Sequence, residues 1–113
     1  MDSKVRKVIF YKDYFESFFL KQSDKVQKKI IWTINLIEEI KGIPETYLKH
    51  IKGTDGLYEV RVQTGSNIYR IFCFFDDGQL VVLMNGFQKK TQKTPRAEVE
   101  KALKIKQEYE QEK

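Results

Sequence analysis

The chain has 113 residues and a mass of 13.5 kDa, 41% hydrophobic and 33% charged, which fits one soluble globular domain over residues 1–113. A net charge of +5 suits RNA, DNA or an acidic protein partner without choosing among them. The apolar runs are too short to span a bilayer, and the run after residues 1–7 is too short for a signal peptide. The cytoplasm is therefore the expected location.

Residues 5–11 contain a short β-prone run, Val8-Ile9-Phe10-Tyr11. Asp13 with Glu16 three residues on predicts a capped helix, on which Phe15, Phe18 and Phe19 form an aromatic face. Ser23-Asp24 starts a longer helix with the stripe Val26, Ile30, Ile34 and Ile37, and Glu38 and Glu39 fall off it. Gly42 and Pro44 close that helix. The two helices read as a hairpin covering one face of a sheet.

Strands are predicted over residues 57–64, 68–75 and 80–84. The turns Thr64-Gly65-Ser66-Asn67 and Asp76-Asp77-Gly78 join them into an antiparallel meander. Thr94 as N-cap and Pro95 at the first helical position open a last helix. Val99, Ala102, Leu103 and Tyr109 give it a modest apolar side, and a polar end from residue 107 is expected to fray. The order β-α-α-β-β-β-α makes an α+β domain.

No hydrolase triad, metal-binding box or phosphate-binding glycine loop is present. The lone cysteine, Cys73, lies in the apolar run Ile71-Phe72-Cys73-Phe74-Phe75 and reads as an inert buried thiol. With His50 the only histidine, a zinc site has no ligand set, and no cofactor is expected. His50, beside Ile51, reads as a partly buried structural residue. Trp32 reads as core, and Tyr58, Tyr69 and Phe87 as packing residues able in principle to stack on bases.

Alternation places Tyr58, Val60 and Val62 on one side of their strand and Glu59, Arg61 and Gln63 on the other, away from the helical hairpin. Arg70 interrupts an otherwise apolar strand and needs a partner or an anionic ligand. Two readings stand: Glu59 pairs with Arg61 or Arg70, or the arginines face a phosphate. Lys89, Lys90, Lys93 and Arg96 follow the last strand, either as a solvated turn or as a phosphate grip shared with the arginines. Lys52 adds charge before the meander. Such a set suits metal-independent RNA cleavage through the 2′-hydroxyl, in which cations neutralise the phosphate and a base takes a proton.

The element order resembles the RelE/ParE toxin superfamily. The motifs Leu48-Lys49-x-Ile51-x-Gly53, Gly56-Leu57-Tyr58-Glu59-Val60-Arg61, Tyr69-Arg70-Ile71-Phe72 and Gly86-Phe87-x-Lys89-Lys90-Thr91-x-Lys93-Thr94-Pro95 resemble its phage-derived HigB-like branch, over residues 5–109. The resemblance implies a type II toxin that cleaves mRNA in the ribosomal A site and is silenced by an antitoxin, a HigA-like helix-turn-helix protein. It further implies Arg61 and Arg70 at the scissile phosphate and Lys89 and Lys90 in the region of cationic or acid residues; Arg61, Arg70 and Lys90 are the catalytic candidates, with Glu59, from its place on the strand, as the candidate base. Lys52, Lys89, Lys93 and Arg96 would bind the RNA backbone. Some RelE-like enzymes use a lysine base at the Arg61 position, which arginine cannot replace. ParE-like relatives share the fold and inhibit gyrase, and a non-catalytic binding module or a merely soluble basic domain are the other readings.

Overall fold

The computed structural model describes residues 4–78, 80–90 and 93–113. Its elements are β1 (Lys7–Phe10), α1 (Tyr14–Phe19), α2 (Asp24–Glu39), β2 (Leu48–His50), β3 (Tyr58–Thr64), β4 (Asn67–Asp76), β5 (Leu80–Lys89) and α3 (Arg96–Glu112). The strands form one five-stranded sheet in the order β1-β5-β4-β3-β2. The expected meander β3-β4-β5 is antiparallel, but β1 joins the β5 edge in parallel, so the sheet is mixed. The three-residue β2 is an addition to the sequence reading, pairing antiparallel with Tyr58, Glu59 and Val60.

The α1–α2 hairpin covers one face, as its stripe predicts. Phe15, Phe18, Val26, Ile30, Ile34 and Ile37 pack with Val60, Val62, Tyr69, Ile71, Cys73, Val81 and Leu83. Ser23 caps α2, its Oγ accepting from the Val26 amide. The far end of α2 is capped from β1's approach: Arg6 donates to the carbonyls of Ile37, Ile40 and Lys41, satisfying orphan acceptors where the helix dipole is negative. Glu38, expected off the apolar stripe, is buried because its carboxylate accepts from the Val8 amide and pairs with Lys4.

The capping box expected at α1 does not form. Asp13, at φ −108° and ψ 13°, makes no side-chain cap bond, since this backbone is not the extended one that turns a cap side chain onto the first amides.

The second face is half covered by α3. Ala102 and Ile105 pack on Leu57, Phe72, Phe74, Val82 and Met84. Coverage on both faces explains why β4 is so continuously apolar. Ile105 takes the place expected of Leu103, which is exposed. The C-terminal turns do not fray: Tyr11 and Tyr14 donate to Glu112 and Glu108, and Tyr109 and Lys113 both donate to Asp76. Helix α3 also begins one residue later than expected, with Pro95 at the N-cap and Thr94 donating elsewhere.

One irregularity decides what β5 presents. The register jumps from Cys73–Leu83 to Ile71–Gly86, so Phe72 faces two residues, Met84 and Asn85. This bulge shifts the alternation by one. Leu83 and, beyond the bulge, Gly86 face the helical hairpin, while Phe87 and Lys89 join the face of Met84. Gly86 is required here, because a Cβ would sit 2.7 Å from the Phe18 ring.

Candidate nucleic-acid interface

Past the end of α3, the second sheet face carries charge instead of apolar side chains. Glu59 stands opposite Phe72, Arg61 opposite Arg70, and Arg70 opposite Phe87 in turn. On the outer side Lys49 of β2 stands opposite Glu59. Register alone therefore gathers Lys49, Glu59, Arg61, Arg70 and Lys89 on neighbouring strands.

The Glu59 carboxylate is the hub. Its Oε2 lies 2.9 Å from Arg70 Nε and 3.4 Å from Arg61 Nε, and its Oε1 accepts from Thr94 Oγ1 at 3.2 Å. Glu59 and Arg70 are only 7% and 5% exposed. Both Nε contacts are close ion-pair approaches without the alignment of a good hydrogen bond. Arg70 also donates to the Tyr69 carbonyl, and Arg61 donates to the Glu45 carbonyl. These bonds hold both guanidinium groups still.

The charges do not balance. Burial first, and the Arg61 charge second, push Arg70 below its ordinary value, although arginine keeps its proton at working pH. Lys89 is lowered too, by burial first and then by Arg70, with Arg61 and Lys49 adding to the effect. Four cations thus gather around one carboxylate among the described residues. Such a place suits a multiply charged oxyanion.

The other cationic residues singled out in the sequence are exposed. Lys90 is exposed one residue past β5, and Lys52 is exposed in the turn after β2. Lys93 is exposed before α3. Arg96 is exposed and pairs with Glu100 on its own helix. Thr91 and Gln92 of the basic block lie outside the described residues.

His50 is exposed, bonded to the Thr54 carbonyl and edge-on to Tyr58, so its role is structural without the expected burial. Cys73 is fully buried and burial pushes its thiol up, in line with an inert thiol. Lys49 and Thr94, known from the sequence only as a motif member and a helix cap, were not among the expected site residues. Only the register of β2, with Leu48 against buried Val60 and Lys49 against Glu59, brings Lys49 to the Glu59 side. No group of three or more His, Cys, Asp or Glu side chains able to hold a metal ion occurs among the described residues. Nor does any described helix have the length and apolarity to cross a membrane.

Fold and site together define an α+β domain of the RelE-like kind, with a cationic cluster built on one sheet face. The family described as "Phage derived protein Gp49-like (DUF891)" matches residues 17–107, and the chain belongs to it. That family is associated with the toxins of toxin–antitoxin pairs. No curated protein matches the chain.

Proposed function

We propose that the protein is the toxin of a type II toxin–antitoxin pair and an mRNA endonuclease acting on the ribosome. One observation carries the reading. Arg61 and Arg70 stand directly opposite each other across β3 and β4, where like charges repel, and one carboxylate is shared between them. A bound RNA phosphate would relieve that repulsion, and two planar guanidinium groups suit its oxygens.

In this reading the 2′-oxygen attacks the neighbouring phosphorus as the 2′-hydroxyl loses its proton. The bond to the 5′-oxygen breaks, leaving a 2′,3′-cyclic phosphate and a protonated 5′-hydroxyl. Arg61 and Arg70 stabilise charge on the phosphoryl oxygens. Lys89 is the best-placed group to protonate the leaving oxygen, because the bulge turns it onto the arginine face and its lowered proton affinity makes it a better acid. Glu59 takes the 2′-hydroxyl proton as the candidate base by position, while Arg61, Arg70 and Thr94 engage the same carboxylate and it orients the arginines. Lys52, Lys90, Lys93 and Arg96 form an outer ring of charge that draws RNA in. A cognate antitoxin, HigA-like with a helix-turn-helix domain, would silence the toxin in the cytoplasm.

That triple engagement of Glu59 also favours a second reading, a binding module of the same fold without catalysis. Induced expression separates the readings. Growth arrest with mRNA cut inside translated codons supports the endonuclease. Arrest with intact mRNA and gyrase-linked DNA breaks would assign a ParE-like activity, and intact mRNA without breaks the binding module.

A further inference from the structure

Beyond the arginines lies a feature that phosphate binding alone leaves unused. Because β2 pairs only with Tyr58–Val60, no strand among the described residues lies beside Arg61–Gln63 on that side. A cleft of about 330 Å³ opens there, lined by Lys29 of α2, Tyr47, Arg61, Gln63 and Arg70. Tyr47 meets Trp32 edge-on, with ring centroids 5.6 Å apart. Lys29 Nζ lies 4.3 Å from the centre of the Trp32 ring.

Trp32 is 47% exposed, contrary to its sequence reading as core. A large aromatic ring left half in water forgoes burial that would otherwise stabilise the fold. Here it touches Tyr47 and Lys29, which line the cleft together with the guanidinium groups of Arg61 and Arg70. That is the chemistry of one nucleotide unit: cations for its phosphate, an aromatic plane for its base. The base has to be unpaired, because bases inside an A-form duplex cannot be splayed against a side chain.

We propose that this cleft binds one nucleotide of single-stranded RNA next to the phosphate held by Arg61 and Arg70. Its base stacks on Tyr47, and Trp32, edge-on behind that ring, backs it without stacking on the base itself. The proposal rests on the RNA-cleaving reading and adds to it a base-binding subsite on the α2 side of the sheet.

Trp32 is the chain's single tryptophan, so its fluorescence reports on the cleft in the unmodified protein. The probe is a short 2′-O-methyl oligonucleotide, which cannot be cut through the 2′-hydroxyl, compared with an abasic oligomer of equal length and charge. The base-bearing oligomer should change Trp32 emission and the abasic one should not. Tyr47→Ala should weaken binding of the base-bearing oligomer about ten-fold, with Tyr47→Phe restoring it. Equal binding of both oligomers, with emission unchanged, overturns the subsite and leaves the phosphate grip standing. No binding of either oligomer at low salt overturns both. The emission comparison needs no substitution, so a poorly folded variant cannot obscure the outcome.

Discussion

Arg61 and Arg70 are register partners on adjacent strands, two positive side chains held face to face with the Glu59 carboxylate between them. Ordinary sheets avoid such pairs. Anions should therefore stabilise the protein. Phosphate at matched ionic strength should stabilise the protein over chloride, by about 2.7 kcal/mol at one hundred times its dissociation constant, and so raise the melting temperature. Arg61→Met should abolish most of that gain while leaving the melting temperature in chloride unchanged or higher. An equal phosphate response in wild type and variant would remove the paired arginines as the anion site.

The bulge in β5 separates two adjacent lysines. Lys89 faces the cluster and Lys90 is exposed beyond the strand. Lys89→Met should reduce cleavage about 10²-fold or more, the usual scale of general acid–base catalysis. Lys90→Met should cost only a few-fold through weaker RNA attraction. The lowered proton affinity of Lys89 sets the pH response: an acid works while protonated, so activity should fall as pH rises through a value below the ordinary lysine 10.5. Parallel loss in both variants would contradict the assignment.

Gly86 tests the bulge itself. Its missing Cβ lets the strand lie against Phe18, whose ring atoms would stand 2.7–2.9 Å away. Gly86→Ala should destabilise by roughly 1–3 kcal/mol, the usual cost of overpacking a core. Adding Phe18→Leu should recover part of that loss, as expected when two sites share one volume. Denaturant unfolding of the single and double variants reads this directly.

Helix α3 should respond to acid through its clamp. Hydrogen bonds from Lys113 and then Tyr109 hold the Asp76 carboxyl below its ordinary value of 3.8, and Lys12 and Tyr14 do the same for Glu108, ordinarily 4.5. The clamp's contribution is fully present above those ordinary values and is lost as pH falls through the lower folded ones. Exposed pairs contribute little singly, so the effect should be local. Hydrogen-exchange protection factors in α3, taken relative to the intrinsic rate at each pH, should fall at acid pH in the wild type. Asp76→Asn should show faster exchange already at neutral pH and a smaller acid response.

Much of the fold was legible because it rests on local periodicity. The α2 stripe, the two tight turns and the alternation of Glu59 and Arg61 each follow from spacing alone. Strand β2 was not legible, since three residues carry no period, and Lys49 was missed with it. The far half of β5 was hidden because the alternation breaks where Met84 and Asn85 share one partner. For α3, Ile105 lies three residues from Ala102 and four from Tyr109, on the stripe that packs against the sheet, and the reading that chose Leu103 overlooked that spacing. Trp32 was misjudged because residue type alone does not reveal a cleft beside it.

The central claim is that the Arg61–Arg70 pair holds an RNA phosphate for cleavage. Purified protein should be incubated with ribosomes carrying a defined mRNA, and the 5′ ends of the products mapped by primer extension. Wild-type protein should produce cuts within the codon in the A site, and the Arg61→Met and Arg70→Met variants should each lose at least 10²-fold in rate while still folding. Intact mRNA with the wild-type protein, or cleavage undiminished in both variants, would contradict the account.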